Sequence, residues 1–172
     1  MEKKIVISFP GGRGYEIPVM YFAAKYYEDQ GYEKLFIRHP KYEECEYDIL
    51  WDNADKIISE IDFGEYDEVV FIAKSIGTII ACRMKEKYHI PATLILFTPL
   101  NETMSYIHGK NDIKLVAVGS KDRYIDVDML KKICEDEQIL CHVEPDVGHR
   151  MEVLNNLDKN LSIISNVIQK LK

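Results

Sequence analysis

Apolar runs and amphipathic stretches alternate along the 172 residues from one end to the other. Ile5-Val6-Ile7-Ser8-Phe9 is a short β-branched run closed by Pro10-Gly11-Gly12, which predicts a strand and a turn. A helix is expected over 17–30, with Pro18 in its first turn and Gly31 just beyond its end. Leu35-Phe36-Ile37 predicts a second strand that stops near His39-Pro40. The run Glu43, Glu44, Glu46 reads as a solvated acidic face. A second helix follows over 48–61, its apolar stripe formed by Leu50, Ala54, Ile57, Ile58 and Ile61.

The third strand, 68–73, is apolar throughout at Val69-Val70-Phe71-Ile72, as expected for a strand buried on both faces of a parallel sheet. Helix begins close to Ser75 and runs to 88. Strands follow over 93–97 and 113–118, then a helix over 127–137 and a strand over 139–143. The last helix carries Leu154, Leu157, Leu161, Ile164, Ile168 and Leu171 at spacings of three and four, read as one buried stripe. Alternating strands and helices predict an α/β sandwich with a mainly parallel sheet. No repeat or linker interrupts it, so residues 1–172 read as a single domain. The segment 99–112 is the longest candidate for a flap, with a short helix expected near 102–107.

Composition narrows the function classes. The formal charge of −7 opposes a phosphate backbone and argues against nucleic acid as partner. No apolar run reaches the roughly 18 residues of a membrane span. The amino terminus enters a strand-like run too short for a signal-peptide core, so a cytoplasmic location is expected. Cys45, Cys82, Cys134 and Cys141 form no C-x-x-C pair and read as free thiols. A homo-oligomer is possible on base rates but nothing in the sequence indicates one.

Ligands of an open parallel sheet bind at the carboxyl ends of its strands, so the loops after strands hold the candidate chemistry. Ser75 lies in Ala73-Lys74-Ser75-Ile76-Gly77 and joins a buried strand to a helix. Small residues two positions to each side relieve the crowding of a sharp strand-to-helix turn and leave the hydroxyl exposed. A helix N-cap is the bland alternative for this serine. An acid follows a later strand in Gly119-Ser120-Lys121-Asp122, with Asp126 and Asp128 as other candidates. His149 follows the last strand in Val147-Gly148-His149; capping or packing of the last helix is its alternative role. The sequence closeness of His142, Glu144, Asp146 and His149 invites a metal reading, but no ligand motif supports it, and no metal is expected. The glycines of Gly11-Gly12-Arg13-Gly14 form a plain turn or a cradle, but no Gly-Lys-Ser/Thr follows to make a phosphate loop.

The order Ser, acid, His after successive strands resembles the α/β-hydrolase superfamily. Residues 73–77 resemble its nucleophile elbow, Val118 to Asp122 its acid loop, Val147-Gly148-His149 its histidine loop and Phe9-Pro10-Gly11-Gly12 its oxyanion loop. The likeness covers nearly the whole chain. Ala73 departs from the more frequent Gly, and Pro10 stands where many members carry His. The resemblance implies a minimal α/β-hydrolase fold, a three-layer sandwich with a six-stranded sheet in the order 2-1-3-4-5-6. It lacks the first two antiparallel strands and has no insertion long enough for a cap.

The resemblance further implies that Ser75 is the nucleophile, His149 the base and Asp122 its orienting acid, with the backbone N–H groups of Gly12 and Ile76 as oxyanion donors. Arg13, Tyr15, Thr98, Pro99 and Leu100 are candidate substrate contacts, whereas Lys74 is expected to be exposed. The implied activity is cleavage of a small carboxylic ester or thioester through an acyl-enzyme, with a small-molecule acyl substrate as sole partner and no cofactor. A non-catalytic hydrolase-fold binding protein and a flavodoxin-like nucleotide or flavin binder are the competing readings.

Overall fold

The computed structural model describes residues 2–14, 16–39 and 47–172. Tyr15, Cys45 and the acidic run Glu43, Glu44, Glu46 lie outside the described residues. Six strands form one sheet: β1 (Lys4–Phe9), β2 (Glu33–Phe36), β3 (Glu68–Lys74), β4 (Ala92–Phe97), β5 (Ile113–Gly119) and β6 (Cys141–Glu144). Their spatial order is β2-β1-β3-β4-β5-β6, and every pairing is parallel. The mainly parallel sheet anticipated from the alternation is therefore wholly parallel.

Among the described residues five α-helices flank it: α1 (Pro18–Glu28), α2 (Tyr47–Ser59), α3 (Ile76–Lys87), α4 (Val127–Asp136) and α5 (Leu157–Gln169). Alternate residues of β3 divide between two cores, as the two-residue period of a strand requires. Val69, Phe71 and Ala73 pack with Leu50, Ile58, Ile80 and Leu130 under α2, α3 and α4. Val70 and Ile72 pack with Met20, Ala23, Ile163 and Val167 under α1 and α5. Two such cores on one sheet make the three layers. Among the described residues no helix is long and apolar enough to cross a membrane.

Two expectations need correction. The short helix near 102–107 is a 3-10 turn, Asn101–Tyr106. The stripe assigned to the last helix is buried only at its end: Leu154, Leu157 and Leu161 are exposed, at 77%, 71% and 53%, whereas Leu171 is fully buried and Ile168 packs against the same core. Ile163 and Val167, outside the expected stripe, are the buried residues within the helix. The helix starts at Leu157, behind Asn156, whose side chain accepts from the Lys159 amide, so Leu154 precedes it and belongs to no helical face.

Candidate active site

Strand β3 runs straight into α3, and Ser75 is the single residue between them, with φ 55° and ψ −127°. A positive φ on a non-glycine residue is strained, and the surroundings hold it in place. The Ser75 amide donates to the Phe97 carbonyl across the sheet at 3.1 Å, and the Ser75 carbonyl accepts from the Thr78 amide at 2.9 Å. Ala73 is fully buried. A side chain at Gly77 would collide with the carbonyl oxygens of Phe9 and Pro10. The glycine is what lets α3 start hard against the loop after β1. Gly11 in that loop is less crowded but still tight: a Cβ there would stand 3.3 Å from the Ser75 Cβ.

The loops after β5 and β6 are laced together. The Ser120 amide donates to Glu144 O at 2.9 Å, and the Lys121 amide to Val147 O at 2.8 Å. The Asp146 amide donates to the Ser120 hydroxyl at 2.9 Å. Gly119 permits this approach, since a Cβ there would overlap the Val147 carbonyl. The result carries Asp122 and His149 to one point. His149 Nδ1 lies 2.8 Å from Asp122 Oδ2, and His149 Nε2 lies 2.8 Å from Ser75 Oγ.

Asp122 is acceptor only, so Nδ1 carries the proton and Nε2 is left to accept from the serine hydroxyl. The other Asp122 oxygen accepts from the Tyr124 amide at 2.9 Å, and the carboxylate is wholly shielded from solvent. Asp126, the alternative acid, caps α4 by accepting from the Met129 amide. Asp128 lies in the first turn of α4.

The remaining sequence candidates fall in different places. Gly12 lies beside Ile76, whose Cγ2 a Cβ at Gly12 would meet at 4.0 Å. Ile76 is the first residue of α3, where the amide has no partner inside the helix. Arg13 is exposed on the loop after β1. Thr98 and Pro99 are buried, and Leu100 is half-buried. Thr98, at φ 42°, is wholly withdrawn from solvent. The segment from Leu100 to Tyr106 is tied down. Thr103 Oγ1 sits 2.7 Å from Thr78 Oγ1, and the Asn101 amide donates to Tyr124 O at 3.2 Å.

His142, Glu144, Asp146 and His149 do not converge. His142 Nε2 is 3.0 Å from the buried Glu144 carboxylate, which also accepts from Lys159 and Asn166. Asp146 pairs with Lys121 at the surface.

Two residues near Ser75 escaped the sequence reading. The Tyr124 ring leans on the His149 imidazole, with centroids 4.6 Å apart. Its place two residues after Asp122 was the available signal. Lys74 is only 8% exposed, contrary to the exposed side chain anticipated. Burial draws its ammonium pKa down to about 8, opposed by Asp122 and Glu152 and aided by Arg13 and Arg150. Its position as the last residue of a buried strand, on the alternation that puts Val70 and Ile72 inside, was the overlooked sign. Elsewhere, a concavity of about 360 Å³ lies at the opposite, amino-terminal edge of the sheet, lined by Ser59, Phe63, Tyr88, His89 and Pro91 among others; the Ser59 hydroxyl there donates to the Lys56 carbonyl at 3.0 Å.

Neither a family model nor a curated protein sequence matches the chain. Solved structures do. A hydrolase of the α/β superfamily from Xanthomonas campestris, described as putative, superposes with a TM-score of 0.67 at 15% identity, over 99% of this chain and 98% of its own. A lid-less α/β serine hydrolase from the same organism gives 0.66 at 14% identity, over 98% and 82%. An esterase from Pyrococcus furiosus gives 0.66 at 13% identity, over 99% and 82%. At these identities the likeness is one of fold.

Proposed function

We propose that this chain, which has the α/β-hydrolase fold, is a serine hydrolase that cleaves a small carboxylic ester or thioester through an acyl-enzyme. The observation that carries the reading is the imidazole of His149 standing 2.8 Å from both the Ser75 hydroxyl and the Asp122 carboxylate. The resemblance of its fold to lid-less serine hydrolases adds support.

In the proposed reaction Ser75 Oγ attacks the acyl carbonyl carbon as its proton passes to His149 Nε2. Asp122 holds the ring in the tautomer that can accept and stabilises the imidazolium that forms. The carbonyl oxygen becomes an oxyanion, received by the amides of Gly12 and Ile76. Ile76 lies at the amino end of α3, so the helix dipole adds to its donor. Each such donor is worth about 3–4 kcal/mol of barrier in comparable enzymes. The imidazolium then protonates the departing alcohol or thiol, leaving the acyl group on Ser75. Water, deprotonated by His149, attacks that ester, and the proton returns to Ser75 as the acid leaves.

The test is turnover of a panel of aryl and alkyl acyl esters of graded chain length by wild type, Ser75→Ala and His149→Ala. The expected outcome is release of product by wild type and a loss of about 10⁴-fold or more in kcat for either variant, with unchanged circular dichroism. Absence of turnover across the panel in wild type favours the binding-protein reading, and equal turnover by Ser75→Ala rejects the nucleophile.

A further inference from the structure

Lys74 has a place that the hydrolytic steps do not use. It immediately precedes the nucleophile, its side chain is 92% withdrawn from solvent since its exposure is 8%, and among the described residues its ammonium has neither a hydrogen bond nor a salt bridge. A buried charge without a partner is costly. The acids nearest to it are engaged elsewhere. Asp122 is held by His149 on one oxygen and by the Tyr124 amide on the other. Glu152 faces Arg150 at 3.9 Å. The ammonium is not wholly sealed from solvent, and it lies within electrostatic range of Asp122.

The surroundings add charge of the same sign. Arg13, on the loop after β1, and Arg150, next to His149, both lie within electrostatic range of Lys74. Two further cations thus lie near Lys74, with the carboxylates of Asp122 and Glu152 also in range, on a chain whose net charge is −7. A cationic spot in a crevice of an acidic molecule selects for anions that reach it.

We propose that Lys74, with Arg13 at the rim, forms an anion subsite of this active site, and that the ester it cleaves carries a carboxylate. This rests on the serine-hydrolase reading above and specifies its substrate class. Only the carboxylate is assigned; it can sit on the acyl or on the alcohol side of the scissile bond.

The experiment compares kcat/KM for matched esters in two arms. The first sets the nitrophenyl monoester of glutaric acid against its neutral methyl diester. The second sets carboxyphenyl acetate against phenyl acetate. Wild type is expected to prefer the carboxylated member of at least one pair by about ten- to hundredfold, the worth of one charge-assisted contact. In Lys74→Met, a change that keeps side-chain volume, that ratio falls to near one, whereas in the remote surface variant Lys170→Met it stays as in wild type.

The free-enzyme preference also fades as pH rises through about 8, where Lys74 loses its proton. Fluorophosphonate labelling of Lys74→Met shows that its nucleophile is intact. Wild type that cleaves the neutral esters without preference in either arm overturns the subsite and leaves the hydrolase reading standing. The same holds if Lys74→Met labels normally and keeps the full preference. Wild type that neither labels nor cleaves any of the four overturns both.

Discussion

Ser75 adopts a backbone conformation that no ordinary strand or helix position needs, at φ 55°. Its neighbours carry the cost in the form of missing side chains. Gly77→Ala drives a methyl into the carbonyls of Phe9 and Pro10; the expected result is a loss of about 1–3 kcal/mol or more, read as a lower denaturant midpoint, together with lower rates on the proposed ester panel because the loop after β1 is displaced. Asp122→Asn keeps the shape of the site but withdraws the charge that selects the Nδ1–H tautomer. Its kcat should fall by about 10⁴-fold, with stability near wild type, by parallel kinetics and denaturation. At this scale the sequence was informative where a residue type and a loop position coincide. Ser75, Asp122 and His149 each follow a strand and could be picked out. Lys74 could not be placed by type, because lysine is usually exposed; only the strand alternation would have turned it inward. Tyr124 touches His149 through tertiary packing that one chain read in order does not display.

Elements follow the same division. The strands and helices stand out because their apolar periods differ, two residues against three to four. Helix α5 is ambiguous in that respect. Leu157, Leu161, Ile164, Ile168 and Leu171 make one stripe, while Ile163, Val167 and Leu171 make another that shares its last residue. Local spacing fits both, and the choice is made by α1 and the sheet, which bury Ile163 and Val167. Ile163→Ala should therefore cost about 2–5 kcal/mol, whereas Leu161→Ser should stay within about 0.5 kcal/mol of wild type. Urea midpoints of the two variants check this, and the opposite ranking would restore the leucine face as the core contact. Asn156→Ala removes the cap of the same helix and should cost about 1 kcal/mol. Short β6 shows the other limit. Expected over 139–143, it pairs over Cys141–Glu144, because its bounds follow from hydrogen bonds to β5 and not from local propensity.

Across the whole molecule, parallelism was legible from alternating elements, but strand order came through resemblance, since periodicity says nothing about which strands neighbour. The same global arrangement stations Glu144 where β6 meets α5. Burial works to raise its pKa, but hydrogen bonds from Lys159, His142 and Asn166 outweigh it, and the net shift is downward. A carboxylate whose folded pKa is depressed contributes stability above its unfolded value of about 4.3, and that contribution is lost as pH falls through the lower folded value. Glu144→Gln should accordingly be less stable than wild type at neutral pH and converge on it in acid, as urea midpoints across that range would register.

The central claim, however, concerns the convergence of three loops at one sheet edge, and reaction with a fluorophosphonate tests it most directly. Peptide mapping of the product should find a single adduct on Ser75, formed in wild type and lost in both Ser75→Ala and His149→Ala. An adduct on another residue, or undiminished labelling without the imidazole, would contradict it.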